Sequence, residues 1–144
     1  MAKSVHLKVI TPAKILVERD TEMVVLRTSE GDMGVMAGHV PQAVIMGVGV
    51  LRIMGEGDDE ERLAVLSGFA EIIDDQVIVL SDDAEWPEEI DRARAEAAKE
   101  RAAKRIAEHS AEVDITRAEL ALRRALVRIE VSSYPLIKSG TKGK

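Results

Sequence analysis

Six arginines stand out for their spacing. Arg94, Arg101 and Arg105 follow at steps of seven and four, and Arg117, Arg124 and Arg128 repeat those steps. On a helix such steps return to one face, so each segment carries a stripe of guanidiniums. If the two segments pair antiparallel, guanidiniums from both approach one another, and an anion held between them relieves the repulsion. The planar guanidinium fork suits phosphate. The same spacing also describes a solvated face paired with Glu100, Glu108, Glu112 and Glu119, and spacing alone favours that plainer reading, because exposed ion pairs are common and weak. Other chemistry is sparse. With no cysteine there is neither a disulfide nor a thiolate nucleophile or metal ligand. His6, His39 and His109 fall in a strand, a loop and a helix connection, and no spacing sets two of them beside a carboxylate as metal ligands. The chain has no GxxxxGK[ST] phosphate loop and no GxSxG elbow. The glycines of EGDMGVMAGH do not open a helix, so they read as turns. An enzyme built on His39 and Asp32 lacks the rest of a site and is the weaker class.

The elements that carry the arginines begin at DDAEWPEEIDRARAEAAKERAAKR. Pro87 is tolerated in a first helical turn, where its missing N–H would have had no partner. Glu88, Glu89 and Asp91 suit the positive end of the helix dipole, and Lys104 and Arg105 its negative end. Alanines at 93, 95, 97, 98, 102 and 103 favour helix and keep it thin. AEHSAEV breaks the pattern, and Asp114 is the expected N-cap of a second helix. There Ile115, Ala118, Leu122, Ala125 and Ile129 recur at three and four steps as a narrow seam, matched by Ala95, Ala98, Ala102 and Ile106 on the first helix. A short connection predicts an antiparallel hairpin. With one alanine-rich seam to bury, its stability depends on what it packs against, which makes it a candidate moving part. The tail from Ser132 (SSYPLIKSGTKGK) loses periodicity and is expected to be poorly ordered.

Upstream, VHLKVIT alternates with the period of a half-buried strand before Pro12. Ile15–Val17, Met23–Leu26, Val48–Ile53, Leu63–Leu66, Phe69–Ile73 and Val77–Leu80 are further short runs. GEGDDEER reads as an acidic hairpin loop, and Asp74-Asp75 as a tight turn. Short strands at about ten-residue spacing predict an antiparallel β-sandwich of about ten strands. The expected class is therefore α+β: a sandwich over 1–84, a helix hairpin over 85–131 and a flexible tail over 132–144.

Of the 144 residues, 46% are hydrophobic and 32% charged. No run approaches the ~18 apolar residues of a membrane span, and MAKSVHLKVI lacks the apolar core of a secretory signal. A net charge of −6 and only three aromatics, Phe69, Trp86 and Tyr134, argue against nucleic-acid binding. A non-secreted cytosolic protein is expected.

With these blocks in hand, the chain resembles the epsilon subunit of bacterial F-type ATP synthase from Val5 to Val131. SEGDMGVMAGHVP is similar to that family's glycine-punctuated Gly-His-x-Pro loop, LSGFAEIIDDQVIVLSDDAE to its last sandwich strands, and IDRARA with DITRAELALRRALVRI to its helix hairpin. The resemblance implies a ten-stranded sandwich held between the gamma subunit and the membrane c-ring, with Asp32 and His39 at the ring contact. It also implies that the hairpin permits ATP hydrolysis when folded on the sandwich. When extended into the catalytic alpha/beta hexamer, the hairpin blocks it. Some relatives bind ATP through an Ile/Leu-Asp-x-x-Arg-Ala pattern, present here as Ile90, Asp91, Arg94 and Ala95, with Glu85, Arg101, Arg124 and Arg128 matching further positions. Implied, then, are ATP as a ligand that stabilises the folded hairpin, no required cofactor or metal, and a peripheral place at the cytoplasmic face of the cell membrane. Ala37 stands where the family usually has proline, and the tail ends in Lys138, Lys142 and Lys144. A second reading, a free-standing nucleotide-sensing module of the same fold, differs in that ATP would bind without any complex forming.

Overall fold

The computed structural model describes residues 3–57, 59–108 and 112–134. Eight strands precede two helices. They are β1 (Val5–Ile10), β2 (Ile15–Thr21), β3 (Met23–Thr28), β4 (Gly31–Met36), β5 (Gln42–Met54), β6 (Glu60–Ile73), β7 (Gln76–Leu80) and β8 (Ala84–Glu85), followed by α1 (Arg92–Ala107) and α2 (Glu112–Ser133). The ladder runs β2-β1-β7-β6-β5-β3-β4, with β8 added against β6. Only β1 and β7 pair parallel; the other pairs are antiparallel. Every strand but β8 alternates enough to send side chains to a shared interior, where Leu7, Leu26, Leu51 and Leu63 are fully buried.

Eight strands replace the expected ten because two are long. The runs Leu63–Leu66 and Phe69–Ile73 are one strand, β6, paired along its length with β5. The ladder skips Gly47 and Ser67, which face each other, and both strands change face there. On one side of the kink the core takes odd-numbered residues, Leu51, Ile53, Leu63 and Val65; on the other it takes even ones, Met46, Ala70 and Ile72. Such bends let one strand serve both layers of a sandwich. Ser67 and Gly68 carry positive φ, 75° and 147°. A Cβ on Gly68 would sit 2.2 Å from the Leu80 carbonyl oxygen, so only glycine fits. The β6–β7 turn is the expected one: Asp74 and Asp75 both have positive φ, as a two-residue hairpin of this kind requires.

The helical boundaries differ from expectation. Pro87–Glu89 is a single 3-10 turn, closed by Trp86 N–H donating to Glu89 Oε1 at 2.9 Å. Ile90 is extended, which aims it into the interface, and Asp91 rather than a residue near Pro87 caps α1 by accepting from Arg94 N–H at 3.1 Å. Asp114 lies inside α2, which starts at Glu112. At its other end α2 runs to Ser133, and Tyr134 donates its hydroxyl proton to the Glu60 carbonyl at 2.9 Å, so the chain is ordered past the expected start of the tail. Residues 135–144 lie outside the described residues. Just past residue 84, Trp86 packs on the sandwich core and donates to the Leu16 carbonyl.

Candidate anion site and partner surfaces

The helices pair antiparallel, since Arg92 near the start of α1 donates to Ser133 at the end of α2. Ala95, Ala102, Ala118 and Ala125 are buried in the seam, as their spacing required. The hairpin lies on the sandwich. Ile90, Val127 and Val131 pack with Ala64 and Leu66 of β6, flanked by Val48 and Val50 of β5. Arg128 is gripped by two carboxylates, Nε to Glu85 Oε1 at 2.6 Å and Nη2 to Asp83 Oδ2 at 2.7 Å. Lys14 in the β1–β2 turn holds Glu89 at 2.5 Å, and that hydrogen bond draws the Glu89 pKa below the usual carboxylate value.

Of the sequence-derived nucleotide residues, the structure joins Glu85 to Arg128, buries Ile90 under α2, makes Asp91 the N-cap of α1 and sets Arg94 and Ala95 in its first turn. Arg94 and Arg101 are exposed. Arg124 is half-buried, and its Nε is buried without a hydrogen-bond partner among the described residues. A buried donor left unpaired is costly, and a bound acceptor would satisfy it. Of the solvated-face pairing, none with Glu100, Glu108 or Glu119 occurs among the described residues, and the Glu112 side chain lies outside them; the one ion pair along α1 is Arg92–Glu96 at 3.9 Å. Among the described residues, no group of His, Asp and Glu is arranged to hold a metal ion.

Asp32 and His39 do not lie together. The glycine-punctuated segment is mostly strand β4, which separates them: Asp32 pairs across the ladder with Arg27, their charges 3.5 Å apart, while His39 follows the far end. There the His39 ring Nδ1 lies 2.7 Å from the Val40 carbonyl, so it must carry the proton. Gly38 N–H donates to Asp75 Oδ1 at 2.7 Å, tying the loop to the β6–β7 turn. Around this tip Met36, Val40 and Ile73 are exposed.

Sequence reading missed a surface. Ile15, Ile10, Leu80, Phe69 and Ile45 are successive cross-strand partners over β2, β1, β7, β6 and β5. All point away from the core. Ile15 is 52% exposed, Leu80 48%, Phe69 42% and Ile45 66%. A continuous apolar row five strands wide is a candidate interaction surface. Its signal was faint: QVIVL and the paired Ile10 and Leu80 are apolar on both faces of their strands.

Comparison with known proteins agrees with this architecture. Residues 4–87 match the family model described as ATP synthase, Delta/Epsilon chain, beta-sandwich domain, and residues 88–133 match the long alpha-helix domain of the same chain. The chain belongs to the ATP synthase epsilon-chain family. The ATP synthase epsilon chain of Brevibacillus brevis is 45% identical over 125 residues, which cover 87% of this chain and 95% of that one. That of Caldicellulosiruptor bescii is 46% identical over 101 residues, 70% of this chain and 73% of the relative. Among solved structures, a chain of the Euglena gracilis mitochondrial ATP synthase, determined with OSCP, F1 and c-ring, is similar with a TM-score of 0.77 and 25% identity, covering 93% of this chain and 83% of that one. No helix among the described residues is long and apolar enough to cross a membrane.

Proposed function

We propose that this chain is a central-stalk subunit that couples gamma to the c-ring and restrains ATP hydrolysis through its hairpin, with ATP stabilising the docked hairpin. It is a non-catalytic accessory chain of the rotary enzyme. One observation carries the proposal: the hairpin rests on the sandwich through a small apolar patch. On the helical side, Ile90, Val127 and Val131 are the large apolar anchors among the described residues, set on Leu66 and Ala64 of β6. At about 1.5–3 kcal/mol each, their gross burial is of the size that competing contacts elsewhere can replace. Such an element suits a two-state switch, and a ligand shifts it by its differential affinity for the two states.

ATP supplies that difference if its phosphates lie between Arg94 and Arg101 of α1 and Arg124 and Arg128 of α2. The buried, unpartnered Nε of Arg124 supports this reading. Arg128 would then exchange a carboxylate for phosphate, with Glu85 and Asp83 freed to other partners. The apolar row from Ile15 to Ile45 suits gamma, since it crosses rigid strands and extends over five of them. The tip with Met36, His39 and Val40 suits the c-ring. Extension of the hairpin toward the alpha/beta hexamer would expose Ile90, Val127 and Val131 to be buried again there. In this role the subunit would sit at the cytoplasmic face of the membrane, peripheral to it.

The test is reconstitution with alpha, beta and gamma subunits. The full chain lowers ATP hydrolysis, a chain ending at Pro87 still binds gamma but does not inhibit, and Phe69→Asp loses gamma. Calorimetric titration of ATP into the full chain gives saturable binding that Arg94→Ala and Arg124→Ala abolish. Failure to assemble with gamma overturns the stalk role, and tight ATP binding in its absence identifies a free-standing nucleotide sensor instead.

A further inference from the structure

On the opposite flank of the seam between α2 and the sheet lies a second basic cluster, and it shares no arginine with the site above. A groove of about 560 Å³ opens between β3, β5, β6 and α2, and Arg27, Arg52, Arg62 and Arg123 line it with the carboxylates Asp32 and Glu130. Four elements thus contribute one guanidinium each. A smaller recess of about 250 Å³ shares Arg27, Val48 and Arg123 with it and lies alongside. The volume falls in the range of small-molecule sites.

Two features show that the cluster is built rather than incidental. Arg52 and Arg62 are direct cross-strand partners, an arrangement in which like charges repel. They continue the β5 row Val48, Val50 and the β6 row Leu66, Ala64, so the floor beneath α2 is apolar at one end and doubly basic at the other. Arg27, for its part, lies flat across Gly49, where an added Cβ would come within 2.4 Å of the Arg27 Cγ. The bare glycine is the lane that delivers this guanidinium to the groove. The two carboxylates only partly offset the charge. Asp32 is 3.5 Å from Arg27, and Glu130 is 3.9 Å from Arg62. Arg62 is further fixed by Glu60 at 2.7 Å and by stacking 4.4 Å over the Tyr134 ring. Arg52 and Arg123 have no ion-pair or hydrogen-bond partner among the described residues.

We propose that this groove binds a small phosphate-bearing anion, held by Arg27, Arg52 and Arg123 around the pre-positioned Arg62. Because α2 supplies one wall, the site exists only while the hairpin is docked, so occupancy favours docking independently of any ligand at Arg124 and Arg128.

The probe is inorganic pyrophosphate, titrated into the full chain while arginine Nε–Hε resonances are followed by NMR. Expected are saturable shifts at Arg27, Arg52, Arg62 and Arg123 that persist in Arg124→Gln. In Arg52→Gln and in Arg123→Gln the affinity falls about tenfold, with circular dichroism unchanged. Arg123 sits on the exposed side of α2, so its variant tests the site even if a change on β5 perturbs the sheet. Shifts confined to Arg94, Arg101, Arg124 and Arg128, or no saturable shift at millimolar pyrophosphate, overturn the proposal while leaving the nucleotide site standing. ADP titrated into Arg124→Gln separates the sources of phosphate. Tighter binding than pyrophosphate identifies a nucleotide, and equal or weaker binding identifies a phosphate chain alone.

Discussion

The sandwich and the hairpin are held together by different means. In the sandwich, seven strands send large side chains into one interior, and Leu7, Leu26, Leu51, Leu63 and Ile72 are fully buried there. In the hairpin the buried residues between helices are alanines, and three larger side chains carry the contact with the sheet. Burial free energy scales with apolar area, so one region is a framework and the other an attachment. The contrast also explains where charge is used. Polar groups at the attachment do much of the positioning: Arg128 on Asp83 and Glu85, Lys14 on Glu89, and Tyr134 on Glu60.

Substitutions can break this contrast. The largest effect is expected for Leu26→Ala, which leaves a cavity in the framework and costs about 2–5 kcal/mol; thermal or urea unfolding followed by circular dichroism would show the whole sandwich destabilised. Val131→Asp comes next. It sets a carboxylate in the buried patch between α2 and β6, so amide exchange should accelerate across α1 and α2 while β1, β6 and β7 stay protected. Equal loss of protection in both regions would show that hairpin and sandwich are one cooperative unit.

Smaller effects sharpen the comparison. The depressed Glu89 pKa means that the Lys14–Glu89 contact stabilises the folded chain above the ordinary carboxylate value near 4.5 and is lost as pH falls through the lower folded value. Lys14→Met should move the Glu89 titration toward 4.5 and weaken that dependence, leaving the part due to the Trp86 N–H. Being partly exposed, the pair is worth under about 1 kcal/mol. Smallest is His6 on the sandwich rim, whose pKa is raised by hydrogen bonds to Asp20 and then to Glu18. Its contribution is complete below 6.5 and disappears as pH rises through the higher folded value. An NMR titration should place the His6 midpoint above 6.5, and Asp20→Asn should lower it.

Much of the fold was legible because its signals are local. The alternation of VHLKVIT, the paired aspartates at 74 and 75, and the seam of Ala95, Ala102, Ala118 and Ala125 each reflect a period that neighbouring residues impose. The errors arose where a distant contact overrode the local pattern. Ser67-Gly68 reads as a break between strands, yet the β5 partner keeps the ladder in register through it. Pro87 reads as a helix start, but Ile90 stays extended to reach the patch beneath α2, which delays α1 to Arg92, with Asp91 as its N-cap. Ser132 and Ser133 lack periodicity and remain helical beside Tyr134, which is anchored on β6.

The candidate sites divide in the same way. Spacing alone placed Arg94 with Arg101 and Arg124 with Arg128 on helix faces, because 3.6 residues per turn fixes such neighbours without reference to the rest of the chain. Family membership was likewise carried by blocks in sequence order. Tertiary structure decided that Arg128 is already occupied by Asp83 and Glu85 while the Nε of Arg124 is buried unpaired. It also separated Asp32 from His39 along β4. Strand pairing alone aligned Ile15, Ile10, Leu80, Phe69 and Ile45, and brought Arg27, Arg52, Arg62 and Arg123 from four elements to one groove. Residues from several strands meet only when register is set, and register depends on which faces are buried together.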